Sequence, residues 1–228
     1  MTEGTSRKFQ LYLVLVVGFL IPFVRSGAIF LGKWHPGPAT SYRFVLRITF
    51  ELVGLLCLYL VLSYQKKRFQ DIGFSFAIRL IDLGHSFALF FGALFTNVLL
   101  GLTLKLVYVF LGRQLPPFDR VSVFGTALGV LPVLYALLNP FYEELLVRAF
   151  LISEVEAIYR STSLAVFASV TLQTSYHLYQ GLPAALSHIP AFLLFSLYFV
   201  RTRRILPVIL AHMFMDVSAL ALYFRHLH

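Results

Sequence analysis

Glu143, Glu144 and Arg148 set three charges in the otherwise apolar stretch NPFYEELLVRAF. A carboxylate in hydrocarbon is costly unless it is paired or faces water, so such a residue marks a functional site by default. Adjacent glutamates on a helix point about 100° apart, which gives the two carboxylates different neighbours. Glu144 and Arg148 stand at the four-residue spacing at which helical side chains meet. Glu143 is left without a local partner. Further along, His177 lies in one apolar run, and His212 and Asp216, one helical turn apart, share a face in another.

These side-chain types suit hydrolysis. A carboxyl group held out of water titrates higher than in solution and can act as a general base on water near neutral pH. A neighbouring imidazole can share that water or protonate a leaving amine, and a second one can donate a hydrogen bond to a developing oxyanion. The same set of Glu143, His177, His212 and Asp216 could instead hold a divalent cation, as in a zinc hydrolase. No HExxH helix is present, so that alternative lacks its usual sequence support.

The elements that must position these residues are membrane helices. The chain has 228 residues, 59% of them hydrophobic and 13% charged, with a mean hydropathy of +0.81. That is the profile of an all-α, polytopic integral membrane bundle. The net charge of +9 resides in short loops between apolar runs, where it suits contact with the lipid bilayer and not with nucleic acid. Runs of about twenty apolar residues predict about eight transmembrane helices, near 10–31, 44–64, 85–112, 121–139, 141–159, 163–179, 183–200 and 205–224. The N-terminus resembles a signal peptide but is read as an uncleaved first span, because apolar character continues through AIFLG. Asn139-Pro140 is expected to separate the fourth span from the fifth, since proline removes a backbone donor. The interval 65–84 is expected to lie in the interface as an amphipathic segment. Residues 1–228 read as a single membrane domain, with a motif-bearing core at about 120–220. Lys and Arg are shared so evenly between the two sides that they assign no orientation.

A hairpin of spans five and six, turning near Arg160, brings Glu143 and His177 to one depth. Each lies seventeen residues from the turn, roughly 25 Å at 1.5 Å per residue. A second hairpin turning at Arg201–Arg204 sets His212 only about 12 Å past its turn, offset from Glu143.

The other polar residues have simpler readings. Arg47 with Glu51, and Glu156 with Arg160, are expected to form structural pairs. Glu154 is expected to be solvated at the membrane edge, and His188 to be a hydrogen-bonded structural residue. His35, His85, His226 and His228 are expected at the interface. Cys57, the only cysteine, is expected to be a small buried apolar residue that forms no disulfide.

EELLVR, the histidine at 177 and HMFMD (His212 to Asp216) resemble, in order and spacing, the EExxxR, FxxxH and HxxxN/D motifs of the CAAX protease and bacteriocin-processing family. This family of membrane proteins includes the type II CAAX prenyl endopeptidases. The resemblance implies an eight-helix, glutamate-type intramembrane endopeptidase with a polar cavity and no required cofactor or metal. It implies that Glu143 and His177 activate water, that His212 and Asp216 stabilise the oxyanion, and that Glu144 and Arg148 hold the motif helix. It further implies a polypeptide substrate, prenylated or membrane-anchored in some relatives, and a prokaryotic plasma membrane as the setting.

Three positions depart from the family pattern. Gln173 stands where the family has phenylalanine, Asp216 where asparagine is frequent, and Ala149 where glycine follows the motif arginine. Gln173 makes the wall beside His177 polar, and an ionised aspartate cannot donate a hydrogen bond. The competing classes are a non-catalytic membrane scaffold or immunity-type protein and a transporter, since intramembrane acids and histidines also relay protons.

Overall fold

A backbone that crosses hydrocarbon must satisfy its own N–H and C=O groups, so the apolar runs fold as helices. The computed structural model describes residues 3–114, 121–125 and 129–225, and among these there is no strand. The helices are α1 (Glu3–Phe30), α2 (Ser41–Tyr64), α3 (Leu80–Phe110), α4 (Val121–Phe124), α5 (Val130–Glu143), α6 (Leu151–Tyr159), α7 (Thr162–Tyr176), α8 (Leu182–Ser187), α9 (Ile189–Thr202) and α10 (Leu206–Arg225). A π-helical segment, Glu144–Phe150, joins α5 to α6.

Six helical runs, not eight, are long and apolar enough to cross a membrane among the described residues. Asn139-Pro140 does not break the chain. Pro140 lies inside α5, and the helical path continues to Tyr159 as one 30-residue run. Proline is tolerated in membrane helices where neighbouring groups take up the freed carbonyl. Among the described residues between α3 and α5 the helix is the four-residue α4, and residues 126–128 of the expected fourth span lie outside the described residues. Helix α7 has 15 residues, about 22 Å of rise against about 30 Å of hydrocarbon.

The interval 65–84 is not one continuous helix. It contains a 3-10 turn at Phe69–Ile72, an extended stretch and the start of α3. Its aspartates punctuate it: Asp71 accepts from the Arg68 N–H (2.7 Å) and Asp82 from the Arg79 N–H (2.8 Å). Each carboxylate satisfies a backbone donor at the start of a turn and so fixes where helix begins.

The chain reverses between α6 and α7 at Arg160, in the left-handed region at φ 55°, and the two helices pack as the expected hairpin. It reverses again at Arg203 (φ 54°), but α10 then leaves α9 and packs chiefly against α3 and α5. Close approach of α1 and α2 to the motif helix depends on two glycines. A Cβ at Gly18 would stand 2.6 Å from Leu146, and one at Gly54 would stand 2.7 Å from Tyr142. Tyr142 donates to the Gly18 carbonyl in the same contact.

One end of the bundle is held by ion pairs. Glu154, expected to be solvated, has no exposed surface. It is bridged by Arg7 (2.6 Å) and Lys67 (2.9 Å) from the ends of α1 and α2. Glu156 pairs with Arg203 (2.6 Å), not with Arg160, whose left-handed backbone ends α6. Asp82 pairs with Arg204 (2.5 Å). In each case a partner distant in sequence satisfies the charge.

Candidate active site

The residues singled out from the sequence fall into two linked groups. Glu144, Arg148 and Gln173 are fully buried. Arg148 donates to Glu144 Oε2 at 2.5 Å and also to Gln173 Oε1. Its guanidinium lies over the rings of Phe195 (5.4 Å) and Phe192 (5.6 Å), a favourable setting for a weakly hydrated cation. The other oxygen of Glu144 accepts from His212 Nδ1 at 2.7 Å. Glu144 therefore joins the motif helix to α10 as well as to Arg148. The depth offset expected for His212 is resolved this way: it meets Glu144, not Glu143.

The second group surrounds Glu143. Its Oε2 accepts from Gln173 Nε2 (3.0 Å) and from the Tyr176 hydroxyl (2.8 Å). Both donors are neutral, so the carboxylate is held without being neutralised by a cation. His177, at the C-terminal cap of α7, donates Nδ1–H to the Gln173 carbonyl at 2.8 Å. That bond fixes the tautomer and leaves Nε2 as the free acceptor of the neutral ring. Gln173 thus touches all three: its amide carbonyl takes Arg148, its amide nitrogen gives to Glu143, and its backbone orients His177.

Glu143 and His177 line one cavity of about 670 Å³, together with Tyr176 and Asn139. Ile21, Tyr42 and Val53 line it too and are exposed on the outside of the bundle, so the cavity is accessible. Its walls are mostly apolar, with polar groups at a few places, as in small-ligand and peptide sites.

Asn139, Tyr176 and Glu51 are not among the expected site residues. Asn139 is buried, lines the cavity, and donates to Asp216 Oδ2 at 3.2 Å. Asp216 Oδ1 is 3.6 Å from His212 Nε2. In the sequence, Asn139 signals only a helix break beside Pro140. Glu51, expected to pair with Arg47, has its Oε2 buried with no hydrogen-bond partner. The Arg47 guanidinium donates to the Val123 carbonyl (3.0 Å) and lies against Phe44 and Tyr135. His188 is hydrogen-bonded as expected, to Gln180 (3.0 Å) and Asn97 (3.2 Å). His85, expected at the interface, lies 2.9 Å from the Tyr198 hydroxyl.

Among the described residues, no three of His, Cys, Asp and Glu form a group that could hold a metal ion. The four residues of the zinc alternative are engaged separately: His177 Nδ1 on a carbonyl, His212 Nδ1 on Glu144, Asp216 with Asn139, and Glu143 with Gln173 and Tyr176.

The family model described as Type II CAAX prenyl endopeptidase Rce1-like matches residues 125–218. This segment contains all of the motif residues named above, and the match agrees with the CAAX protease resemblance carried by EELLVR, His177 and HMFMD. No curated protein and no solved structure matches the chain.

Proposed function

We propose that this chain is a membrane-embedded endopeptidase of the CAAX-protease type, in which Glu143 and His177 activate a water molecule. A protease-type family match in a protein with six potential membrane spans supports the general class. The observation that carries the finer reading is the state of the two side chains on the cavity wall. Glu143 is buried yet paired only with neutral donors, and His177 in its neutral form presents Nε2 as an acceptor, because its Nδ1–H is committed to a carbonyl.

A water between them gives up a proton to Glu143 while its oxygen forms a bond to the peptide carbonyl carbon. The carbonyl π electrons move to oxygen, producing a tetrahedral oxyanion. Collapse of that intermediate breaks the C–N bond, and the proton passes to the departing amine. In this reading the oxyanion falls to His212 and, beside Asp216, to Asn139. With Nδ1–H given to Glu144, a doubly protonated His212 has Nε2–H left to donate. Asn139, whose second amide hydrogen remains after the bond to Asp216, supplies the neutral donor that Asp216 cannot. Glu144, Arg148 and Gln173 position the motif helix. The whole chain is a single membrane domain whose core, about residues 120–220, does the chemistry on a polypeptide substrate.

The test is cleavage of membrane-soluble peptides by purified protein in proteoliposomes, with and without chelator. Wild type should cleave in chelator, and Glu143→Gln and His177→Ala should not while keeping the wild-type unfolding temperature. Cleavage by Glu143→Gln at the wild-type rate would sink the mechanism. Binding of one partner equally by wild type and both variants, with no cleavage, would favour a scaffold.

A further inference from the structure

Glu51 is 4% exposed and its Oε2 has no hydrogen-bond partner. A buried acceptor left unmade costs free energy, and one inside a membrane helix is kept where function requires it. This one lines the same cavity as Glu143 and His177. Helix packing sets its position relative to them. Gly54, three residues further along α2 and on the same face, is where the Tyr142 ring seats against the helix. Tyr142 precedes Glu143. Glu51 therefore stands on the α2 wall within about one helical turn of the reacting carboxylate, on the side toward the α1–α2 connection.

We infer that Glu51 is a substrate-binding residue that accepts a hydrogen bond from a backbone N–H of the polypeptide seated in the cavity. The inference rests on the endopeptidase reading and deepens it. A peptide entering an apolar cavity loses water from its amides and needs partners for them, and a turn of the Glu51 carboxyl about its terminal bond presents to them the oxygen that is otherwise covered. A cationic side chain is the other group a carboxylate could take. It would share the cavity with the guanidinium groups of Arg25, Arg43 and Arg47, which repel it and leave a neutral N–H undisturbed. The bound amide gives register: it fixes which peptide bond reaches Glu143, so Glu51 acts on specificity and not on bond breaking.

The experiment starts from a library of quenched fluorescent apolar peptides in proteoliposomes. The best-cleaved peptide is resynthesised with a single N-methyl group at each backbone nitrogen near the cut, and also with lysine placed at each flanking position. In wild type, N-methylation at one position should lower kcat/KM at least tenfold, mostly through KM. In Glu51→Leu the parent peptide should be cleaved with a comparable loss, and the same N-methylation should then cost less than twofold. Glu51→Gln, which keeps an amide oxygen, should fall between them.

Equal N-methyl effects in wild type and Glu51→Leu at every position would overturn the inference while leaving the endopeptidase reading intact. A lysine preference in wild type that vanishes in Glu51→Leu would overturn it in favour of a cationic side chain. If Glu51→Leu does not fold, the comparison is made with Glu51→Gln and Glu51→Ala. Failure of wild type to cleave any peptide removes the endopeptidase reading and this inference together.

Discussion

Glu154 and Glu51 are both buried glutamates in membrane helices, and the molecule treats them in opposite ways. Glu154 is enclosed at one end of the bundle by Arg7 and Lys67, each oxygen engaged. Glu51, on the cavity wall, has an oxygen that nothing in the protein satisfies. From their neighbours in sequence the assignment would be reversed, since Glu51 has an arginine four residues back and Glu154 has none so placed on the preceding turn. The difference separates a carboxylate that holds the structure from one that waits for something to enter. The same contrast divides the adjacent pair, with Glu144 held by Arg148 and His212 and Glu143 facing the cavity.

The largest effect should come from the cavity side. Glu143→Gln should lower kcat about 10³-fold, about 4 kcal/mol of barrier, through loss of the general base. Its thermal unfolding in detergent should stay at the wild-type temperature, and a matching loss of stability would erase the distinction between the two kinds of carboxylate. On the locked side, Arg148→Met leaves Glu144 buried with only His212, and should cost about 3 kcal/mol of stability by denaturant titration. Glu154→Ala should cost less, about 2 kcal/mol, because Arg7 and Lys67 are 35% and 30% exposed and can turn to water once released. Cleavage by that variant should persist at temperatures where it remains folded. Smallest, and of opposite sign, is Glu51→Leu. Removing an unsatisfied buried acceptor should raise the unfolding free energy by about 1 kcal/mol. A fall of that size would mean that Glu51 already serves the fold and would close the comparison.

Local spacing explains what is legible in the sequence. Glu144 and Arg148 meet because residues four apart on a helix are neighbours, and Glu143 and His177 come to one cavity because both lie equally far from the turn at Arg160. The pairs that escape such reading are those between segments with no local signature. Arg7 finds Glu154 across 147 positions, and His212 finds Glu144 across 68. Gln173 is legible only as a departure from a pattern. In the fold it becomes the residue through which Arg148, Glu143 and His177 communicate. The break expected at Asn139-Pro140 weighs Pro140 by its missing N–H alone, whereas a surrounding bundle can absorb that loss and the helix runs through it.

The π-helical segment Glu144–Phe150 lies between the open carboxylate of Glu143 and the locked one of Glu154. In an unbroken α-helix these two glutamates, eleven residues apart, would project within about 20° of each other. A π turn carries one residue more than an α turn, so the helix beyond it is rotated by about 100°. That single additional residue turns Glu154 away from the side of Glu143 and toward α1 and its arginine. The segment works as a phase shift written into the length of the chain. A one-residue deletion among Leu145, Leu146 and Val147 would remove the π turn and the extra residue together, leaving the two glutamates ten residues and about 80° apart, on separate faces as they are now.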